Sequence, residues 1–97
     1  MTVSYILHGL AFEWDDEKAR TNADKHGVTF EEAAEVFFDD FARSLDASVG
    51  NEVRAAMLGF TFSQRMLLVV HVERSSATRI VSARAATRAE RRMYERF

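Results

Sequence analysis

The chain contains no cysteine and no proline, and only four glycines among its 97 residues. Without cysteine there is no disulfide framework, no thiolate nucleophile and no zinc-ribbon or iron–sulfur ligand set. The lack of proline, together with 47% hydrophobic and 29% charged residues, leaves no stretch that reads as a linker or disordered tail. Long apolar runs are missing too. The strongest, "MLLVV", is far shorter than a bilayer requires, and the start "MTVSYILHGLAFEW" lacks the basic residues that precede the apolar core of a secretory leader. These absences point to one cytoplasmic domain over residues 1–97 that makes no membrane contact. There is no internal repeat, no P-loop, no glycine-rich dinucleotide fingerprint and no "HExxH". The three histidines are scattered, so no metal centre and no cofactor is expected.

What is present is an uneven charge. The net formal charge is -2, yet residues 1–73 carry six basic and thirteen acidic side chains while residues 74–97 carry seven arginines and two glutamates. Such a division suits two kinds of partner, a polyanion on one surface and a basic protein on another. A solvated helix face would also account for the arginines.

The pattern of residues predicts an α+β domain. A first strand is expected over Ile6 to Trp14, followed by a polar helix through "EKARTNADKH", capped by Asp15 or Asp16 and closed by Gly27. Its inward face is expected to be Ala19, Asn22, Ala23 and His26. In "TFEEAAEVFF", Thr29 and Glu32 have capping-box spacing, and Phe30, Ala33, Ala34, Phe37 and Phe38 form one apolar stripe. Strands are expected at Phe41 to Asp46, Val53 to Thr61, Met66 to Glu73 and Thr78 to Ala86, the last three joined as hairpins with "MLLVVHVE" in the middle. A second capping box, Thr87 and Glu90, opens a terminal helix whose stripe Ala89, Met93 and Phe97 is expected to pack inward. Helices would thus pack on a small antiparallel sheet, two in the N-terminal half and one at the C-terminus.

Arginine suits a phosphate ligand, because its planar guanidinium forks onto two oxygens and keeps its charge. Arg74 and Arg84 end consecutive strands, and Arg88, Arg91 and Arg92 share a face of the terminal helix. In a hairpin Arg74 and Arg84 fall at opposite ends, so topology alone does not bring them together. Each has a carboxylate nearby in sequence, Glu73 or Glu90, with which it would pair in a purely structural role. His26 complements a helix C-terminus as readily as it would exchange a proton. Tyr94 either packs or offers its phenol to a base or phosphate.

Taken in order, "FEWDDEKARTNADKHGVTFEEAAEVFFDD", "LLVVHVER" and "RIVSARAATRAERRMYE" resemble the BrnT family of type II toxins, from about Phe12 onward. The resemblance implies a RelE-like fold, a ribonuclease activity that blocks translation, and neutralisation by a BrnA-like antitoxin encoded next to it. DNA would be contacted only through that antitoxin. A homodimer and a heterotetramer with the antitoxin both remain open. The resemblance maps a basic active site onto Arg74 and Arg84, with Lys25, His26 and Arg54 as contributors from the neighbouring surface and Tyr94 matching a catalytic tyrosine in kind. Arg74, Arg84, His26 and Tyr94 are accordingly expected to be catalytic, and on the chemistry of arginine and lysine Lys25, Arg54, Arg88 and Arg92 are expected to bind RNA. Glu73 is an alternative carrier of the proton. Two departures from the family pattern stand out, the "GNEVR" that ends in Arg54 and a "RSSATR" loop without glycine. A non-catalytic RNA-binding or partner-binding module remains the alternative reading.

Overall fold

His8 and Gly9 both adopt left-handed backbone angles, with φ of 49° and 81°. Two consecutive residues of this kind form the tight turn whose twist matches a β-hairpin. The stretch expected to be one strand over Ile6 to Trp14 is therefore two, β1 (Thr2–Leu7) and β2 (Leu10–Asp15), paired antiparallel. The computed structural model describes residues 1–96, so Phe97 lies outside the described residues. After the hairpin come α1 (Asp16–His26), α2 (Phe30–Glu35) running into a 3-10 turn at Val36–Phe38, and β3 (Arg43–Asp46). Then follow β4 (Ala55–Phe60), β5 (Met66–Glu73), β6 (Thr78–Ala85) and α3 (Arg88–Glu95).

The fold is α+β, with six strands in the order β1-β2-β6-β5-β4-β3. Every neighbouring pair is antiparallel except β2 with β6, which run parallel and match only at Phe12–Thr78 and Glu13–Arg79. The helices α1 and α2 follow a hairpin, where the sequence pattern predicts a single strand ahead of them. As "MLLVVHVE" implied, β5 is an interior strand, paired on both sides.

Alternation along the strands sorts the side chains. Phe12, Trp14, Leu67, Val69, Ile80 and Ala83 meet Val28, Phe30, Ala33, Ala34 and Val36 from the helical layer in one buried cluster. Gly59 lies beneath this layer, where a Cβ would come within 3.1 Å of Val36 and of the Asp39 carboxylate. On the opposite face Ala56, Leu58 and Met66 are buried, and α3 packs against β4.

Two local expectations change. Thr29 caps α2 by accepting from the Glu32 N–H (3.1 Å), but the Glu32 carboxylate turns to Arg65 at 3.2 Å, so the box is only half made. In α3 the full box forms, yet Ala89 and Met93 are exposed and no residue of the helix is buried. Glu90 and Tyr94, one turn apart, face the body instead and attach the helix through polar contacts.

Candidate functional site: a cleft between α1 and β6

Parallel pairing between β2 and β6 stops after two residues, which leaves the β6 edge open from about Val81 onward. Asn22 of α1 fills part of that opening. Its side-chain amide donates to the Ala83 carbonyl (2.8 Å) and the Val28 carbonyl (3.0 Å), while its oxygen accepts from the Ala83 N–H (3.0 Å). One carboxamide thus replaces a strand partner and fixes α1 beside β6. Opposite, the β5–β6 register shifts between Val70 and His71, pairing Val70 with Ser82 and His71 with Ile80. Val81 is left as the extra residue of a bulge.

Between this edge and α1 lies a cleft of about 490 Å³. Lys18, Thr21 and Lys25 reach it from one helical face, His26 from the last turn, and Val81 and Ser82 from the bulge. Lys18, Thr21, Lys25 and His26 are all exposed. Asp15 and Glu17 stand at the start of the helix in the same cleft. The Asp15 carboxylate accepts from the Lys18 N–H at 3.0 Å, which holds its pKa below the ordinary value. His26 faces this cleft, not the interior as its place on the expected inward face suggested.

Arg84 follows Ser82 by two residues on the same strand face, about 7 Å farther along. Its Nη1 and Nη2 fork onto the two Glu90 oxygens at 2.8 and 2.9 Å, and Nη1 also donates to the Ala85 carbonyl at 3.2 Å. The hydrogen bond to Glu90 raises the arginine pKa, and its counterpart from Arg84 lowers that of Glu90. Glu90 Oε1 also receives the Thr87 N–H at 2.9 Å, so a single carboxylate caps α3 and binds it to β6. Arg88 and Arg92 are exposed on α3; among the described residues neither makes an ion pair.

The remaining candidates lie elsewhere. Arg74 is exposed just beyond β5, and about 20 Å of strand separates that end of the hairpin from Arg84. Arg54 is paired with Glu52 at 2.9 Å and lines a smaller cavity of about 260 Å³ with His71 and Glu73. His71 is 5% exposed; burial lowers its pKa, against the opposing pull of Glu73, whose Oε1 is 3.2 Å from Nδ1. Tyr94 donates its hydroxyl to Asp39 Oδ2 at 2.7 Å in a third cavity. Burial, and then this bond to a carboxylate, push the phenol up to about 12. The structure brings Lys25 and His26 together in the cleft and leaves Arg84, Arg74, Arg54 and Tyr94 outside its lining.

Sequence reasoning missed Lys18, Thr21 and Ser82. Lys18 lies seven residues before Lys25, two helical turns on one face, so the helix already read from the sequence contained that signal. Ser82 had no comparable signal, because the bulge arises from pairing with β5. Among the described residues, no three histidine, aspartate or glutamate side chains gather to hold a metal ion. No helix there is long and apolar enough to cross a membrane.

A small α+β protein with a polar cleft, lined by charged groups of both signs, beside an open strand edge is the class these observations define. The chain belongs to the family described as "Ribonuclease toxin, BrnT, of type II toxin-antitoxin system", whose profile matches residues 14–90. The crystal structure of the Brucella abortus ribonuclease toxin, BrnT, has a similar fold, with a TM-score of 0.59 and 23% sequence identity. That match covers 77% of this chain and 94% of the Brucella chain. No curated protein sequence matches.

Proposed function

We propose that this chain is a metal-independent endoribonuclease that binds the RNA backbone in the α1–β6 cleft and thereby inhibits translation in the cytoplasm. The observation that carries this reading is the convergence of Lys18, Lys25 and His26 on one cleft, with Ser82 opposite. Lysine ammonium groups attract the phosphates, and imidazole is the side chain suited to exchanging protons near neutral pH. In the reaction the ribose 2′-hydroxyl loses its proton to His26 and attacks the adjacent phosphorus. The bond to the 5′ oxygen breaks, leaving a 2′,3′-cyclic phosphate and a 5′ alkoxide that takes a proton from solvent water to become the 5′-hydroxyl, while His26 returns its proton to solvent. Lys25 and Lys18 stabilise the charge that builds on the phosphate. Arg84 spends three of its five N–H groups on Glu90 and Ala85, so two remain to hold a neighbouring phosphate. Arg88 and Arg92 extend the grip along α3.

Arg74, Arg54 and Tyr94 are not assigned to the scissile phosphate, because of their distance or their existing partners. We read the sheet with its flanking helices as RelE-like. A BrnA-like antitoxin is the proposed protein partner, with DNA reached only through it. The Arg84–Glu90 pair favours a second reading, in which the chain binds RNA without cutting it.

Purified protein incubated with RNA in EDTA separates the two. Cleavage is expected to persist in the chelator, to fall about 100-fold in kcat for His26→Ala, and to fall about tenfold for Lys25→Ala. Salt-sensitive binding with intact RNA would establish the binding module instead.

A further inference from the structure

The third cavity, of about 450 Å³, differs from the cleft in that its lining carries carboxylates and, among the described residues, no basic side chain. Phe38, Phe60, Phe62 and Tyr94 supply aromatic walls, and Glu35 and Asp39 supply two carboxylates. Phe60 meets Tyr94 edge-on at 5.3 Å, and Phe38 and Phe62 lie 6.2 Å apart. Phe62 is 53% exposed, so the walls open to solvent. Neither carboxylate meets a cation among the described residues. Asp39 is satisfied by neutral donors alone: the Phe60 N–H (2.9 Å), the Phe41 N–H (3.0 Å) and the Tyr94 hydroxyl. Burial opposes its ionisation, but these three bonds outweigh burial and hold the carboxyl below its ordinary value. Glu35 Oε1 accepts from the Phe62 N–H at 3.0 Å, while Oε2 has no hydrogen bond among the described residues.

We propose that this cavity is the docking point for an arginine side chain of a partner protein. Aromatic faces attract a cation, and a guanidinium stacks on them while forking onto carboxylate oxygens in a way that ammonium does not. Charge complementarity selects the occupant: two anionic groups without a counter-charge exclude RNA and admit a basic residue. That the occupant belongs to the antitoxin rests on the toxin reading above; the cavity's preference for guanidinium does not.

The test uses the isotope-labelled full chain, with Nα-acetyl-arginine methylamide titrated against its neutral isostere, Nα-acetyl-citrulline methylamide, and against the lysine analogue. Saturable shifts at the Phe62 and Gln64 amides are expected with arginine, and about tenfold weaker binding with the other two. Glu35→Gln keeps an acceptor for the Phe62 N–H, so the fold should survive. It is expected to weaken arginine binding about tenfold, as is Phe62→Leu. Equal binding of citrulline, equal binding of lysine, or an unaltered Glu35→Gln titration would each overturn the guanidinium assignment. Co-expression with the adjacent antitoxin gene tests the partner. Glu35→Gln should cleave RNA like the wild type yet be neutralised less well, and unchanged neutralisation would overturn the partner assignment. A chain that cut no RNA would still report arginine binding, so the two readings fail separately.

Discussion

Asn22 shows how one residue can determine a site without touching a ligand. Its three hydrogen bonds satisfy backbone groups that the divergence of β2 from β6 would otherwise leave buried and unpaired. Asn22→Ala is therefore expected to destabilise the protein by about 3 kcal/mol, read as a lowered urea midpoint with an unchanged m-value. The inward position of Asn22 was legible from helical spacing, but its partner Ala83 lies 61 residues away and was not. The same holds for Tyr94. Its side-chain type suggested a nucleic-acid contact, whereas Asp39, 55 residues distant, claims its hydroxyl. In a Tyr5→Phe background, absorbance titration should place the Tyr94 phenol near the value of about 12. Asp39→Asn should bring it down towards 10.0. A phenol that titrates alike in both proteins would remove the contact.

At the scale of elements, α3 is the least firmly packed helix, since it buries no residue of its own. Glu90 and Tyr94 hold it, and both titrate. Glu90 and Asp39 ionise below their ordinary 4.5 and 3.8, so the stability each contributes is complete above those values and is lost as pH falls through the lowered ones. Tyr94 acts in the opposite sense. Its phenol keeps its proton up to about 12 instead of 10.0, so its contribution is complete below 10.0 and lost as pH rises towards 12. The α3 amide resonances should therefore leave their helical positions at both extremes, at acid pH before those of β5. Joint loss of helix and sheet at a single pH would contradict this. Strands β5 and β6 and all three helices were legible because periodicity and capping are local signals. The hairpin was hidden because His8 supplied a left-handed position usually left to glycine or asparagine. The α3 stripe misled because its spacing was apolar while its anchors are polar.

Across the whole molecule, the charge division read from the sequence acquires a spatial meaning, though not the one the arginine count suggested. The C-terminal arginines do not form one centre: Arg84 is paired, Arg79 is bound to Glu13 at 2.8 Å, and Arg74 stands at the far end of its hairpin. The cleft's cations come mainly from α1, inside the acidic part of the chain. Long-range placement of this kind depends on the β2–β6 crossover, which no local pattern encodes. The resulting cavities differ chemically: one holds lysine and histidine together with two carboxylates, the other aromatic rings with carboxylates and, among the described residues, no basic side chain. The most direct measurement compares wild type, His26→Gln and Arg74→Ala on one RNA in EDTA, alongside the same strand with a 2′-deoxy scissile residue to report binding alone. The account predicts that His26→Gln loses about 100-fold in kcat while binding the deoxy strand like the wild type, and that Arg74→Ala retains most of its cleavage. Full activity in His26→Gln, or its loss in Arg74→Ala, would place the chemistry outside the cleft and contradict it.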